Sequence, residues 1–150
     1  MTITRTRALL RAKYGWSRKS VIFNRSGFHK PSGYRTNAPG YVSMVWDIPL
    51  YVRHNVGGLS TVTLLTDGWV KEIEIRELKP GDAIGYLGTD SIDTDGGFIV
   101  IFEKWLDDNP DLSHAVTWEF HSGVSPGPDQ RARAVDFKWH AYRFRDITDN

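Results

Sequence analysis

The order of the apolar patterns along this chain constrains its fold more than any other sequence feature. Helical spacing occurs near the N-terminus, over residues 4–14 and 38–47. Segments typical of strands follow from residue 69 onwards and are separated by loops that contain Gly and Pro. Helices that precede a series of consecutive strands predict an α+β fold with an antiparallel sheet. The chain has 150 residues and no repeat or internal linker, which predicts a single domain over 1–150.

Individual elements follow from the same patterns. The apolar segment at 59–65 is rich in β-branched residues and fits either a helix or a strand. A turn at 78–84 is expected to lead into a strand. We predict the other strands over 69–75, 98–105, 114–121 and 133–145. The first helix turns its alanines inward, and we expect its basic side chains to be solvated: Arg5, Arg7, Arg11 and Lys13.

Composition excludes several classes of function. The 19 basic and 18 acidic residues leave a net charge of +1, and no basic run forms a patch, so nucleic-acid binding is not predicted. The chain has no cysteine, which excludes disulfides, thiolate zinc sites and a cysteine nucleophile. The histidines lack metal-ligand spacing, and no metal or cofactor is expected. The N-terminus lacks the apolar run of a signal peptide, and no segment approaches about 20 apolar residues. These features predict a cytoplasmic protein without a membrane segment.

A capped helix start lies at Asn37. Its side-chain oxygen can accept from the free backbone N–H groups of the first turn. Pro39 is compatible with that turn, because a first-turn residue needs no intrahelical partner for its N–H. The N-terminus of a helix carries partial positive charge, and many enzymes place a nucleophile or an anion there. In this chain the first helical residue is Ala38.

The segment that begins at Asn37 resembles the catalytic segment of the NlpC-type cell-wall peptidases, a papain-like family. The family pattern is Asp-Cys-Ser-Gly before an apolar helix, and this chain has Asn37-Ala38-Pro39-Gly40. The resemblance implies a papain-like NlpC-type fold, with N-terminal helices packed on an antiparallel sheet of about five to six strands. It also implies that Ala38 stands where the family has its nucleophilic cysteine.

Two further positions of the resembled family lie on predicted strands. Gly97-Phe98 matches the Gly-His pattern that carries the family's general base, and a phenyl ring cannot accept a proton. His121 matches the third, polar position. The resemblance therefore implies that the cysteine-protease mechanism is absent and that Ala38, Phe98 and His121 mark a remodelled, more apolar groove.

An apolar cleft with a few polar groups is typical of a ligand site. In the resembled family a Tyr near the N-terminus lines the active site, and Phe23 stands in its place. Asp93 and Asp95 precede Phe98 and are compatible with either the groove mouth or a solvated turn. We predict a ligand pocket formed by Phe23, Asn37, Ala38, Tyr41, Asp95, Phe98 and Val100.

Glu119 and His121 are the candidate catalytic residues. They lie two residues apart on the same face of a predicted strand, roughly 7 Å along it. Such a pair can perform acid/base chemistry because imidazole titrates near neutrality, although the pattern is more typical of a plain surface pair. Ser43, about one and a half turns past Ala38, and Ser122, on the other side of the strand, are not predicted as replacement nucleophiles.

Three functions are compatible with the sequence. The preferred one is a non-hydrolytic descendant of the peptidase fold that binds a small hydrophobic metabolite and promotes a cofactor-independent cyclisation or isomerisation. The second is an inactive pseudoenzyme that binds a cell-wall peptide or a protein partner. The third is a residual peptidoglycan amidohydrolase. The expected partner is thus a small-molecule or peptide-like ligand, and the sequence does not determine the oligomeric state.

Overall fold

Three α-helices and ten strands occur in the parts of the chain that the computed structural model describes, residues 2–88, 97–106 and 112–149. The helices are α1 (Arg5–Tyr14), α2 (Ala38–Val45) and α3 (Thr61–Thr66). The strands are β1 (Ile3–Thr4), β2 (Tyr51–Val52), β3 (Asn55–Val56), β4 (Val70–Ile73), β5 (Ala83–Leu87), β6 (Gly97–Trp105), β7 (His114–Glu119), β8 (Asp129–Ala134), β9 (His140–Phe144) and β10 (Ile147–Thr148). None of the helices in these ranges is long and apolar enough to cross a membrane.

A six-stranded sheet in the order β4-β9-β5-β6-β7-β8 is the centre of the fold, and all its neighbouring strands are antiparallel. This confirms the predicted mixture of helices with an antiparallel sheet. Two small sheets accompany it, a β2-β3 hairpin and a parallel β1-β10 pair. Because β1 precedes α1 and β10 ends the described chain, the second pair brings the two terminal segments together.

The start of α1 differs from its prediction in one respect. Thr4 caps the helix as its side-chain oxygen accepts from the Arg7 N–H at 3.1 Å. Arg5, however, is buried, and the prediction that it is solvated is wrong. Its guanidinium donates to Asp82 Oδ1 at 2.9 Å. A charged group that is removed from water needs such an oppositely charged partner.

Asp82 is the centre of a buried ionic cluster that joins the terminal segments. The turn that precedes β5 carries this carboxylate, which is fully buried. Arg5 of α1 and Arg143 of β9 donate to it from opposite ends of the chain, with Nη2 of Arg143 at 3.0 Å from Oδ2. The backbone N–H of Lys79 also donates to Oδ2, at 2.9 Å. The predicted turn into a strand therefore contains an anchor for elements that are distant in sequence.

Helix α2 begins as predicted. Asn37 is its N-cap, and the side-chain oxygen accepts from the Gly40 N–H at 2.8 Å. All eight residues of the helix are buried, so the helix crosses the interior. It ends at Val45, two residues before the predicted end, and Trp46 forms its C-cap.

Replacing Asn37 by Ala is expected to lower the free energy of unfolding by about 1 kcal/mol, because the first turn of α2 loses its side-chain acceptor. Urea unfolding followed by tryptophan fluorescence measures the change. The matched control is Asn37→Asp, which keeps a capping oxygen and should remain close to the wild type. Equal losses in both variants would contradict the capping role.

The structure decides two further predictions, those for residues 59–65 and 133–145. The ambiguous segment at 59–65 contains a helix, α3, which Ser60 caps by accepting from the Thr63 N–H. Residues 133–145 do not form one closing strand. They contribute to β8, at the outer edge next to β7, and to β9, between β4 and β5. A connection must therefore carry the chain across the sheet, and Phe137 within it is exposed.

The helices pack on one face of the six-stranded sheet. Phe144 of β9 stacks on Trp46 at 5.1 Å, and Phe120 lies 6.4 Å from Tyr41 of α2. Partners in register share a face, and side chains alternate between faces along a strand. The register links these contacts through three pairs on this helix-side face: Tyr142–Ala83, Ala83–Ile101 and Ile101–Trp118.

The other face, which we call the cavity-side face, carries the alternate residues. Phe98 pairs with Tyr86 across β6 and β5, and Phe102 pairs with Thr117 across β6 and β7. Glu119, two residues past Thr117, lies on the same face. This face is also buried, since Phe102 and Glu119 are at most 1% exposed. The sheet therefore has a core on both sides.

Candidate functional site

Four polar side chains on the cavity-side face form one hydrogen-bonded group, the Glu119 cluster: Thr117, Glu119, His121 and Arg133. Arg133 donates through Nε and Nη2 to the two carboxylate oxygens of Glu119, each at 2.6 Å. Thr117 Oγ1 donates to Oε2 at 2.6 Å. A bidentate guanidinium–carboxylate pair is among the strongest polar contacts in proteins and fixes the orientation of both side chains.

Alternation along β7 and its pairing with β8 assemble this cluster. Thr117 and Glu119 are two residues apart and therefore project from the same face of β7. Arg133 comes from β8, the adjacent strand. Glu119 is fully buried and His121 is 7% exposed, so the alternative of a plain surface pair is wrong.

His121 uses both of its ring nitrogens within the protein. Nδ1 accepts from the backbone N–H of Gly123 at 3.1 Å, and Nε2 lies 2.8 Å from Glu119 Oε1. A backbone N–H can only donate and a carboxylate can only accept, so the proton of the neutral ring is on Nε2. The first contact also caps the short 3₁₀ helix Ser122–Val124. The imidazole therefore has no free nitrogen with which to take a proton from a ligand.

Glu119 is an ionised acceptor in this arrangement. Burial alone would raise its pKa, but hydrogen bonds from Arg133 and His121, together with the charge of Arg133, lower the pKa to about 2. For Arg133, burial alone would lower the pKa, but the hydrogen bonds to Glu119 and its charge raise it. Both groups are charged at neutral pH, and neither exchanges a proton with a ligand there.

Phe98 forms an apolar wall against this cluster. Its ring meets the His121 ring edge-on at 4.9 Å between centroids. The Arg133 guanidinium lies over the rings of Phe98 and Trp139, at 5.4 and 5.1 Å from their centroids. These stacked contacts add to the hydrogen bonds in fixing the orientation of the guanidinium.

A cavity of about 370 Å³ opens beside the Glu119 cluster. It lies between the end of β7, β8 and the connection to β9. Six of its ten lining residues are ionisable, so this cavity is more polar than the groove expected from the sequence. The lining residues are Glu119, His121, Val124, Arg131, Ala132, Arg133, Ala134, Asp136, Lys138 and Trp139.

The predicted site residues are divided between the two faces. The structure brings Phe98, Glu119 and His121 together on the cavity-side face. Helix α2, which begins with Ala38, packs against the helix-side face, and its Tyr41 is fully buried with the hydroxyl donating to a backbone carbonyl. Burial raises the pKa of Tyr41 well above its ordinary value, and the hydroxyl stays protonated.

The other predicted pocket residues have different surroundings. Phe23 lies 6.3 Å from Phe120, a residue of the helix-side face. Val100 is buried within the sheet core. Asn37 lines a separate cavity of about 240 Å³. Asp95, and with it Asp93, lies outside the described residues.

Sequence reasoning missed the β8 residues of the site. Arg131 and Arg133 alternate with Ala132 and Ala134, which is a strand pattern with both cations on one face. This alternation could have identified β8, but not its partner. The contact between Arg133 and Glu119 depends on the pairing of β7 with β8, which the sequence does not specify.

Comparison of this chain with protein-family models, with curated protein sequences and with solved structures finds no match. The resemblance to the NlpC-type peptidases therefore stays a prediction.

Proposed function

We propose that this protein is a non-hydrolytic ligand-binding domain, and that its ligand occupies the cavity beside the Glu119 cluster. The observation that carries the proposal is the full engagement of His121 by Glu119 and Gly123. A hydrolase of the resembled type needs a thiol and a free imidazole, and the chain has no cysteine. Descent from the NlpC-type papain-like fold is part of the proposal and would explain the capped start of α2.

The cluster supplies a preorganised wall for a ligand. Its side chains are held by short charged hydrogen bonds on one side and by aromatic rings on the other. Ligand sites are commonly largely formed before binding, with a few fixed polar groups that set orientation. A cyclisation or isomerisation in this cavity would proceed through orientation of the ligand, because Glu119 and His121 offer no free acid or base.

Restoring the two family residues is expected not to create a peptidase. In the variant Ala38→Cys/Phe98→His, the new thiol is on α2 at the helix-side face, whereas position 98 projects from the cavity-side face. The pair therefore lacks the nucleophile–base contact that thiol activation needs. We expect no release of products from muropeptides above the wild-type background, as measured by chromatography with an active NlpC-type peptidase as positive control.

Folding of this variant is verified by its far-UV circular dichroism and thermal transition. Ala38→Cys alone serves as a second variant, and we expect the thiol to react with iodoacetamide at the same rate in the single and the double variant, because the imidazole introduced at position 98 does not reach it. Product release by the double variant, or a thiol that is more reactive in the double variant than in Ala38→Cys, would contradict the separation of the two faces.

A fragment screen monitored by ¹H–¹⁵N NMR tests the proposed binding function. We expect hits to shift the Arg133 Nε–H and the Trp139 indole N–H, whose residues line the cavity, and the Gly123 amide, which donates to the lining residue His121. Arg131→Trp places a large side chain at an exposed lining position on the same face as Glu119 and should abolish these shifts while the protein remains folded. A chemically diverse panel that produces no shifts at the cavity would overturn the proposal.

A further inference from the structure

We infer that the cavity beside the Glu119 cluster takes a small organic monoanion, whose acid group lies among Arg131, Arg133 and Lys138. This inference rests on the proposed function and names its ligand class. It replaces the hydrophobic metabolite expected from the sequence, because the charged lining of the cavity favours an anion.

The charges that line the cavity are unbalanced. Three cationic side chains face two carboxylates, Glu119 and Asp136, which leaves an excess of one positive charge. Glu119 is fully buried and accepts from the Arg133 guanidinium. Asp136 accepts from the backbone N–H of Lys138 at 3.1 Å. A single negative charge on the ligand would balance the lining.

Hydrogen-bond donors remain available for that charge. Arg133 uses Nε and Nη2 on Glu119, and for its Nη1 there is no acceptor among residues 2–88, 97–106 and 112–149. Among the same described residues, Arg131 has only long contacts, at 3.8 Å to Asp129 and 3.5 Å to the Gly123 carbonyl. The Lys138 ammonium lies 5.2 Å from the centre of the Tyr86 ring. An oxyanion fits this set, since guanidinium and ammonium groups only donate.

The rest of the cavity lining favours a ligand whose acid group is attached to a small apolar group. Val124, Ala132, Ala134 and the Trp139 ring present uncharged surface next to the cationic groups. A volume of about 370 Å³ suits a small molecule rather than a polymer. A neutral hydrophobic compound would cover Arg131 and Lys138 without pairing their charges, which is unfavourable.

Matched probes test the ligand class. 2-Naphthoate and its neutral counterpart 2-naphthamide are titrated into the 150-residue chain, with affinity measured by calorimetry and the position of binding by ¹H–¹⁵N NMR. We expect saturable binding of the naphthoate at Trp139 and Gly123, and binding of the amide that is weaker by about tenfold or more. The naphthoate affinity should also fall as salt is raised from 25 to 300 mM, since the cations are partly exposed.

Charge variants locate the acid group. Arg131→Ala/Lys138→Ala should weaken naphthoate binding by about tenfold and leave the amide unchanged. The matched control Arg7→Ala/Lys71→Ala removes the same charge from exposed positions elsewhere and should keep wild-type affinity. Both pairs include exposed side chains only, so they test binding without removing a buried partner.

The outcomes separate this inference from the proposed function. Equal affinity for naphthoate and naphthamide, or naphthoate binding that is unchanged in Arg131→Ala/Lys138→Ala, would overturn the ligand class and leave the binding function standing. Absence of cavity shifts with both probes and with the diverse fragment panel would overturn both.

Discussion

Replacing Asp82 by Ala is expected to lower the free energy of unfolding by about 3–5 kcal/mol, because one buried and one partly buried guanidinium group lose their common partner. Asp82 is fully buried, and the Arg5 and Arg143 side chains that bind it are 8% and 18% exposed. The substitution also removes the acceptor for the Lys79 N–H. Urea unfolding measures the loss, and we expect it to exceed that of Asn37→Ala several-fold.

Asp149→Ala is the matched control for Asp82→Ala. Asp149 also pairs with Arg5, at 2.6 Å, but its side chain is 70% exposed and water replaces it readily. We expect little change in stability. A similar loss in both variants would show that the stabilisation comes from the Arg5 side chain in general and not from the buried carboxylate of Asp82.

Replacing Glu119 by Gln is expected to remove much of the acid sensitivity of the fold. The pKa of Glu119 falls from an ordinary 4.5 to about 2 in the folded protein. A depressed folded-state pKa contributes stability above about pH 4.5, and this is lost as the pH falls from about 4.5 to about 2. The contribution corresponds to about 3 kcal/mol. The variant should therefore be less stable than the wild type at pH 7, and the difference should shrink towards pH 2.

Urea unfolding at a series of pH values measures this difference. Glu72→Gln is the control, since Glu72 is exposed on β4 and its carboxylate lies 3.0 Å from the His140 ring, with no guanidinium partner among the described residues. We expect its stability to follow that of the wild type across the series. A constant difference between Glu119→Gln and the wild type from pH 7 to pH 2 would contradict an ionised, hydrogen-bonded Glu119.

The elements that were predicted well depend on local signals. The cap at Asn37, the strand that became β6 and the turn before β5 are each specified by a few neighbouring residues. The burial of Arg5 was missed because its partners, Asp82 and Asp149, are distant in sequence. No periodicity in α1 distinguishes a basic residue that pairs with them from one in solvent.

The site was predicted only in part. The physical reason differs from the one that applies to Arg5. The contact of Glu119 with His121 follows from alternation within one segment, and it is present. The grouping of both with Ala38 required knowledge of which face of β6 meets α2. A shift of one residue in register exchanges the faces, and apolar residues occupy both faces of this strand. The sequence pattern therefore does not distinguish the two orientations of Phe98.

The most direct test of the central claim is the protonation pattern of the His121 ring, measured by long-range ¹H–¹⁵N correlation NMR at pH 7 and assigned with His121→Gln. The hydrogen-bond geometry predicts a proton on Nε2, facing Glu119, and an Nδ1 that accepts from the Gly123 N–H. Both nitrogens would then be occupied within the protein, and the adjoining cavity would bind its ligand without proton transfer at His121. A proton on Nδ1, or a ring that exchanges between the two neutral forms, would contradict this account and make His121 available as a catalytic base.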